Sequence, residues 1–166
     1  EPELSFGVAS NQSESLGNVL TISNTQVFTA QPKEKYATKI IEAKKILMND
    51  WLVFLGFWLA EGCVTLRTRQ QNRRVPYHEY QVRISQNRGK NAEDFEQVLK
   101  RLTFNYRKKE SGEKLEFRIC DKQLFLYLKQ FSGAQNKFVP TEIKLLSREQ
   151  LQILFDWMMR GDGHIG

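Results

Sequence analysis

The stretch that decides the fold is Trp51-Leu-Val-Phe-Leu-Gly-Phe-Trp-Leu-Ala-Glu-Gly62. It is apolar on every side of a helix, and such a helix must be buried all round. Asp50 is the predicted N-cap, and the glycine that closes the run is favoured just past a helix end. Gly56 and Ala60 leave a groove that a second helix backbone can enter. The one charged side chain of the run, Glu61, falls in the last turn.

A second stretch, Leu151-Gln-Ile-Leu-Phe-Asp-Trp-Met-Met-Arg-Gly-Asp-Gly163, repeats this arrangement near the end of the sequence. Ser147 and Gln150 form a capping box ahead of it. Asp162 lies between two glycines at the predicted helix end, 101 residues after Glu61. Each acid therefore faces the negative end of a helix dipole, which costs about 0.3–1 kcal/mol.

An acid beside glycine at one helix end is commonly just solvated. Two such acids after similar apolar helices favour a cation held between them. Two oxygen ligands with open remaining positions suit Mg²⁺ or Mn²⁺ better than zinc. The chemistry typical of such a centre is metal-assisted attack on a phosphodiester.

Between the two stretches, segments in which every second residue is apolar, as in strands, alternate with segments in which apolar residues recur at helical spacing. Strands are predicted over 63–70 and 78–86, a helix over 90–102, and a second strand pair around a turn at 111–112. Another helix, capped by Asp121, carries Leu124, Phe125, Leu128 and Phe131. A helix is also predicted over 33–48, and the short apolar runs over 19–22 and 26–28 are interpreted as either brief strands or ordered loop. The fold class is therefore α+β, with a four-stranded antiparallel sheet. The domain is placed at 51–166, after an N-terminal extension of uncertain fold over 1–50.

Charge is distributed unevenly along the chain. The whole sequence carries a net charge of +6 with an isoelectric point near 9.4. Residues 67–118 hold 14 basic and 7 acidic side chains, so the excess is confined to this segment. One face of the predicted sheet and the loop 71–76 would then present side chains that contact phosphates and base edges. These candidate DNA-binding residues are Thr65, Arg67, Arg69, Arg73, Arg74, Gln81, Arg83, Ser85, Arg107, Lys114 and Arg118.

Composition excludes several other classes of protein. Two cysteines far apart in the sequence indicate neither a disulfide framework nor a zinc module. The longest apolar run is half the length that a membrane span needs, and the first 32 residues lack the pattern of a signal peptide. We therefore expect an intracellular, cytoplasmic protein with no membrane partner.

The two apolar stretches resemble the paired signature helices of the LAGLIDADG homing endonucleases, of the intein-associated dodecapeptide type. The resemblance implies an αββαββα half-domain plus the second signature helix, and the predicted element order agrees with it. It implies a site-specific endonuclease that hydrolyses double-stranded DNA with Mg²⁺ or Mn²⁺. Glu61 and Asp162 would be the metal-binding catalytic acids. Lys137-Phe-Val-Pro140 resembles the block whose lysine assists catalysis, so Lys137 is the third catalytic candidate.

The sequence departs from the family pattern at several positions. Trp157 stands where the second signature helix usually has a small residue opposite Gly56, so we expect a crossing that is either looser or offset. Glu61 replaces the more frequent aspartate. The sequence ends shortly after Asp162, so we expect a second half-domain, or a second chain, to complete the DNA-binding saddle.

Two other functions stay open on the sequence alone. The same scaffold could serve as a non-cleaving DNA- or RNA-binding module, such as a regulator or a maturase. The basic face could instead recognise an acidic protein surface. Acids at both helix ends favour the enzyme over the binding module, and the salt dependence of duplex binding would separate both from the protein-binding alternative.

Overall fold

The computed structural model describes residues 6–8, 19–22, 44–70, 77–132 and 137–162. Within these ranges the chain forms two antiparallel sheets and a set of helices. No helix of the described part is long and apolar enough to cross a membrane. In chain order the elements are β1 (Phe6–Val8), β2 (Val19–Ile22), β3 (Lys44–Leu47), α1 (Met48–Glu61), β4 (Gly62–Arg69), β5 (Tyr77–Asn87), α2 (Lys90–Arg101), β6 (Tyr106–Ser111), β7 (Lys114–Ile119), α3 (Lys122–Lys129), α4 (Thr141–Lys144) and α5 (Arg148–Gly161).

Helix α1 forms the centre of the core, as its all-round apolar pattern predicts. Trp51, Phe54 and Trp58 are fully buried. The Phe57 ring stacks on Phe95 of α2 with ring centroids 4.5 Å apart. Burial of side chains of this size stabilises the fold by about 1.5–3 kcal/mol each. This helix therefore fixes the positions of the elements around it.

The predicted start of α1 is wrong by three residues. The helix begins at Met48, and Leu47 occupies the N-cap position without a capping side chain. Asp50 lies in the first turn, where its carboxylate pairs with Arg101 at the end of α2, with Oδ1 to Nη2 at 2.7 Å. An acid in the first turn still complements the helix dipole. Asp50 thus joins two helices instead of capping one.

The α+β class with a four-stranded antiparallel sheet is confirmed. The strand order is β4-β5-β7-β6. Val82, Ile84 and Phe117 alternate onto the side of the sheet that packs on the helices, and all three are buried. Phe117 meets the ring of Phe95 edge-on with centroids 5.4 Å apart. The alternate residues of the same strands face away from the core.

The helix predicted over 33–48 is wrong where the structure describes it, because Lys44–Leu47 is strand β3. This strand pairs antiparallel with β2, so of the two interpretations of the run Val19–Ile22 the strand is the correct one. The run over 26–28 lies outside the described residues. The helix prediction is wrong because the partner of β3 is distant in sequence, which a local periodicity does not register. Ile46 and Met48 already belong to the core. The domain boundary at residue 50 stays a prediction.

The C-terminal elements begin as their capping signals predict. The Asp121 side chain accepts a hydrogen bond from the backbone N–H of Leu124 at the start of α3. Ser147 and Gln150 form the complete capping box at the start of α5. The short helix α4, which follows Pro140, was not predicted.

Candidate metal centre and basic sheet face

Helices α1 and α5 cross in close contact because glycine occupies each point of nearest approach. A Cβ atom on Gly56 would lie 2.8 Å from the Leu154 carbonyl oxygen and 2.9 Å from the Trp157 Cβ atom. A Cβ atom on Gly161 would lie 2.5 Å from the Ala60 Cβ atom. Of the two alternatives expected from Trp157, the looser crossing is therefore wrong, and the offset crossing stays a prediction. Gly56 has no side chain where the tryptophan needs space.

The crossing brings the two predicted acids to one place. Glu61 is the last residue of α1, and Asp162 directly follows α5 as its C-cap. Both are exposed and line a single open cavity of about 170 Å³. Ser85, Asn87 and Lys114, which lie at the end of the sheet, line the same cavity. The acids therefore share a site that adjoins the sheet.

Lys137 holds the last turn of α1. Its ammonium Nζ donates hydrogen bonds to the carbonyl oxygens of Trp58 and Gly62, each at 2.8 Å. The Trp58 carbonyl also accepts the backbone N–H of Gly62, so Lys137 adds a second donor at the end of the helix. Of the three N–H donors of a lysine, one is left for another acceptor. The sequence placed Lys137 near the acids by resemblance alone and did not predict its helix-capping contacts.

The surroundings of Lys137 act on its pKa in opposite directions. Burial of the ammonium lowers the pKa below its ordinary value, and this effect dominates. Electrostatic interaction with Cys63, Glu61 and Asp162 acts in the opposite direction. Lys137 therefore lies within electrostatic range of both predicted acids, but it lines a neighbouring cavity with Cys63 and Lys129 and not the cavity that the two acids share.

Two amide side chains hold the end of α5 in a similar way. Gln86 Nε2 donates to the carbonyl oxygens of Arg160 and Gly161 at 3.2 and 3.3 Å. Asn91 Nδ2 donates to the Arg160 carbonyl at 3.4 Å. Sequence reasoning missed both residues, because an amide that bonds to a backbone group about 70 positions away leaves no local pattern. With these carbonyls satisfied, the Asp162 backbone is fixed next to the cavity.

The donor atoms at this cavity fit a hard divalent cation. Glu61 and Asp162 offer carboxylate oxygens, which Mg²⁺ and Mn²⁺ prefer to nitrogen or sulfur. Within the described ranges no group of three or more His, Cys, Asp or Glu residues could hold a metal. Further oxygen ligands would thus come from water or from a bound phosphate, as is usual for Mg²⁺.

The side of the sheet that faces away from the helices is strongly basic, and we call it the basic face. Cross-strand pairs bring Arg83 beside Arg118 and Arg118 beside Arg107. Thr65 and Ser85 are half-buried on the same face. Alternation along the four strands places seven basic and two acidic side chains there, namely Arg67, Arg69, Arg83, Arg107, Lys109, Lys114 and Arg118 with Glu79 and Glu116.

Gln81 departs from the expected role in contacting DNA. It lies on the basic face opposite Thr65, but its side chain is fully buried. It therefore cannot reach a ligand without a rearrangement of its neighbours. Arg73 and Arg74, also predicted to bind DNA, lie outside the described residues.

Glu116 occupies the middle of the basic face between two arginines. Its Oε2 atom accepts from Arg83 Nε at 3.0 Å, and its Oε1 atom accepts from Arg118 Nη2 at 2.6 Å. Burial raises the pKa of this carboxyl, but hydrogen bonds and charges from the two arginines outweigh burial and lower it overall. Glu116 is therefore held ionised.

One family and two known proteins match parts of this chain. Residues 51–132 match the family described as a LAGLIDADG-like domain. The chain is 31% identical over 145 residues to an ATP-dependent Clp protease proteolytic subunit of Chlamydomonas moewusii, a match that covers 85% of this chain. It is 30% identical over 121 residues to the C-terminal section of a DNA-directed RNA polymerase subunit beta of Stigeoclonium helveticum, covering 69% of this chain. The chain spans only 14% and 11% of those proteins.

Solved structures of the homing endonuclease I-DmoI share the fold. Its complex with DNA and Mn superposes with a TM-score of 0.50 at 15% identity, covering 69% of this chain and 62% of that one. Structures of its mesophilic variants give the same TM-score at 16% identity, covering 69% and 61%. With the family match over residues 51–132, these likenesses show that the chain has the LAGLIDADG homing endonuclease fold.

Proposed function

We propose that this chain is the DNA-binding and DNA-cleaving part of a homing endonuclease that hydrolyses phosphodiesters of double-stranded DNA with a divalent metal. One observation carries the proposal: Glu61 and Asp162 line one cavity together with Ser85 and Lys114 of the basic face. A duplex lying along the basic face would therefore bring a phosphate to the two acids. The DNA complex of I-DmoI with Mn supports the same assignment.

The position of each side chain indicates the role that it would have in the reaction. Glu61 and Asp162 would hold Mg²⁺ or Mn²⁺ through their carboxylates. A bound divalent cation supplies charge stabilisation at the phosphate and makes a coordinated water more acidic. Lys114 borders the cavity and would bind a phosphate oxygen. Lys137 keeps the last turn of α1 in place and offsets negative charge at the site. Arginines of the basic face contact the DNA backbone and base edges.

The outer side of α5 supports the expectation of a second unit. Phe155 is 56% exposed there, and Leu151 and Met159 are half-buried on the same helix. Apolar side chains of this size at a helix surface favour a protein partner. We propose that a second half-domain, or a second chain, packs on this side and completes the saddle around the duplex.

The relatives support an intein-associated segment. The two matching proteins carry names of unrelated activities, yet this chain corresponds to a small part of each. A segment that recurs inside unrelated hosts is typical of an inserted element. We propose that this chain belongs to such an insertion.

A cleavage assay tests the proposed function. The chain, and a longer natural polypeptide that contains it, are incubated with randomised duplex DNA in Mg²⁺ or Mn²⁺, and cleaved products are sequenced. We expect site-specific cleavage that Glu61→Gln and Asp162→Asn each abolish. Asp156→Asn is the control, because this exposed acid of α5 bonds to Gln152 and does not line the cavity.

Two results would decide against the assignment. Cleavage that survives both substitutions would exclude these acids as catalytic residues. Duplex binding without cleavage by the longer polypeptide would favour the alternative function, a non-cleaving DNA- or RNA-binding module on the same fold.

A further inference from the structure

Glu116 is an acidic residue on the surface that is proposed to bind the phosphates of DNA. It lies on β7, an inner strand, opposite Ser85 of β5 and Lys109 of β6. A carboxylate there repels the DNA backbone and lowers affinity for any duplex. Its contacts with Arg83 and Arg118, one on each oxygen, offer a reason for its presence.

We propose that Glu116 is a positioning residue that sets the sequence specificity of the basic face. It holds the guanidinium groups of Arg83 and Arg118 so that their remaining N–H donors face base edges instead of phosphates. The inference rests on the proposed binding of duplex DNA, and it names the residues that convert general affinity into sequence discrimination.

The geometry of the two arginines supports this role. Their side chains are only 27% and 26% exposed, whereas Arg69, paired with Glu79 at the sheet edge, is 43% exposed. Arg83 and Arg118 are therefore more covered than Arg69, and the buried Nε atom of Arg118 is not among the donors left for DNA. A guanidinium has five N–H donors in a rigid plane, so one held by a carboxylate still presents donors in a fixed direction. Fixed planar donors suit the two acceptors of guanine, whereas a mobile cation binds phosphates without regard to sequence.

The charge of the cluster acts in the same direction. Glu116 offsets one of the two positive charges, so the three side chains together carry about one. Attraction to phosphates grows with the number of cations that a protein brings to the backbone. Glu116 thus reduces binding to random sequence while it orients the groups that read the correct one.

Binding measurements on the full chain test the inference. Affinity is measured for a duplex selected from a randomised pool and for a scrambled duplex of the same length, over a range of salt concentrations. For Glu116→Gln we expect tighter binding to the scrambled duplex and a salt slope steeper by about one. The ratio of selected to scrambled affinity should fall about tenfold, the size of one lost bidentate base contact. Glu110→Gln is the matched control. Glu110 also pairs with an arginine, with its Oε2 atom 2.6 Å from Arg88 Nη2, but it does not belong to the basic face.

A second variant separates orientation from charge. Arg118→Lys keeps the positive charge and removes the planar donors, so we expect the affinity ratio to fall while the salt slope stays unchanged. Equal weakening on both duplexes, with a lower melting temperature, would reduce Glu116 to a structural role and overturn the inference. An unchanged affinity ratio and an unchanged salt slope in a Glu116→Gln variant that still binds DNA would also overturn the inference. This result would leave the proposed function intact. Absence of any duplex binding by the unaltered chain would overturn both.

Discussion

Gly161→Ala is the substitution whose effect follows most directly from the helix crossing. The new Cβ atom would lie 2.5 Å from the Cβ atom of Ala60, well inside van der Waals contact. Both atoms are fixed to helix backbones, so the helices themselves must separate. Overpacking of this kind costs about 1–3 kcal/mol. The gain in helix propensity is below about 1 kcal/mol, because Gly161 is the last residue of α5.

A double-mutant cycle isolates the clash. Ala60→Gly removes the opposing methyl group, at a propensity cost of about 1 kcal/mol. In Ala60→Gly/Gly161→Ala the new methyl group finds the space that the old one left. The loss of unfolding free energy in the double variant should therefore be about 1–3 kcal/mol smaller than the sum of the losses in the two single variants. Urea unfolding curves measure all four free energies.

Additive effects in this cycle would refute the reasoning. They would mean that the two methyl positions do not meet and that α1 and α5 are farther apart than described. Thermal unfolding gives an independent reading, since 1 kcal/mol shifts the melting temperature of a domain of this size by roughly 2–4 °C.

Three further predictions concern stability. Lys137→Met removes the ammonium donor from the Trp58 and Gly62 carbonyl groups at the end of α1. It should lower the free energy of unfolding in urea by about 1–3 kcal/mol, and an effect no larger than that of the exposed control Lys129→Met would contradict it. Asp50→Asn breaks a pair with Arg101 that is largely covered on the Asp50 side, and should cost about 1 kcal/mol in the same assay. Because the pKa of Glu116 is lowered in the folded state, its carboxylate stabilises the fold above the unfolded-state pKa of 4.5, and this stabilisation is lost as pH falls through the folded-state pKa. Glu116→Gln should therefore flatten the fall in unfolding free energy on the acid side of a plot against pH. An unchanged plot would show that the carboxylate is not held ionised.

Sequence periodicity predicted most of the fold because burial in this chain follows local patterns. The all-round apolar run of α1 and the strand alternation around Val82 and Phe117 each determine which side is buried. The capping signals at Asp121 and Ser147 also hold, since a cap is completed within three residues. By contrast, β3 depends on pairing with β2, about 25 residues earlier, and was predicted as a helix.

The sequence predicted the two acids of the candidate site but not the contacts that hold their helix ends in place. The paired acids follow from two helix ends with the same pattern. The groups that hold those ends in place, Lys137, Gln86 and Asn91, act through backbone carbonyls far away in sequence. The prediction that Gln81 contacts DNA failed for another reason. Strand alternation predicts on which face of the sheet a side chain lies, but not whether neighbouring side chains bury it.

The central claim is that Glu61 and Asp162 share one cation, and Mn²⁺ binding measured calorimetrically on the full chain tests it most directly. The account predicts that Glu61→Gln, Asp162→Asn and the double variant each lose the same binding event, while Asp156→Asn keeps it. Equal affinity in either single variant and the unaltered chain, or losses that add in the double variant, would contradict a shared site.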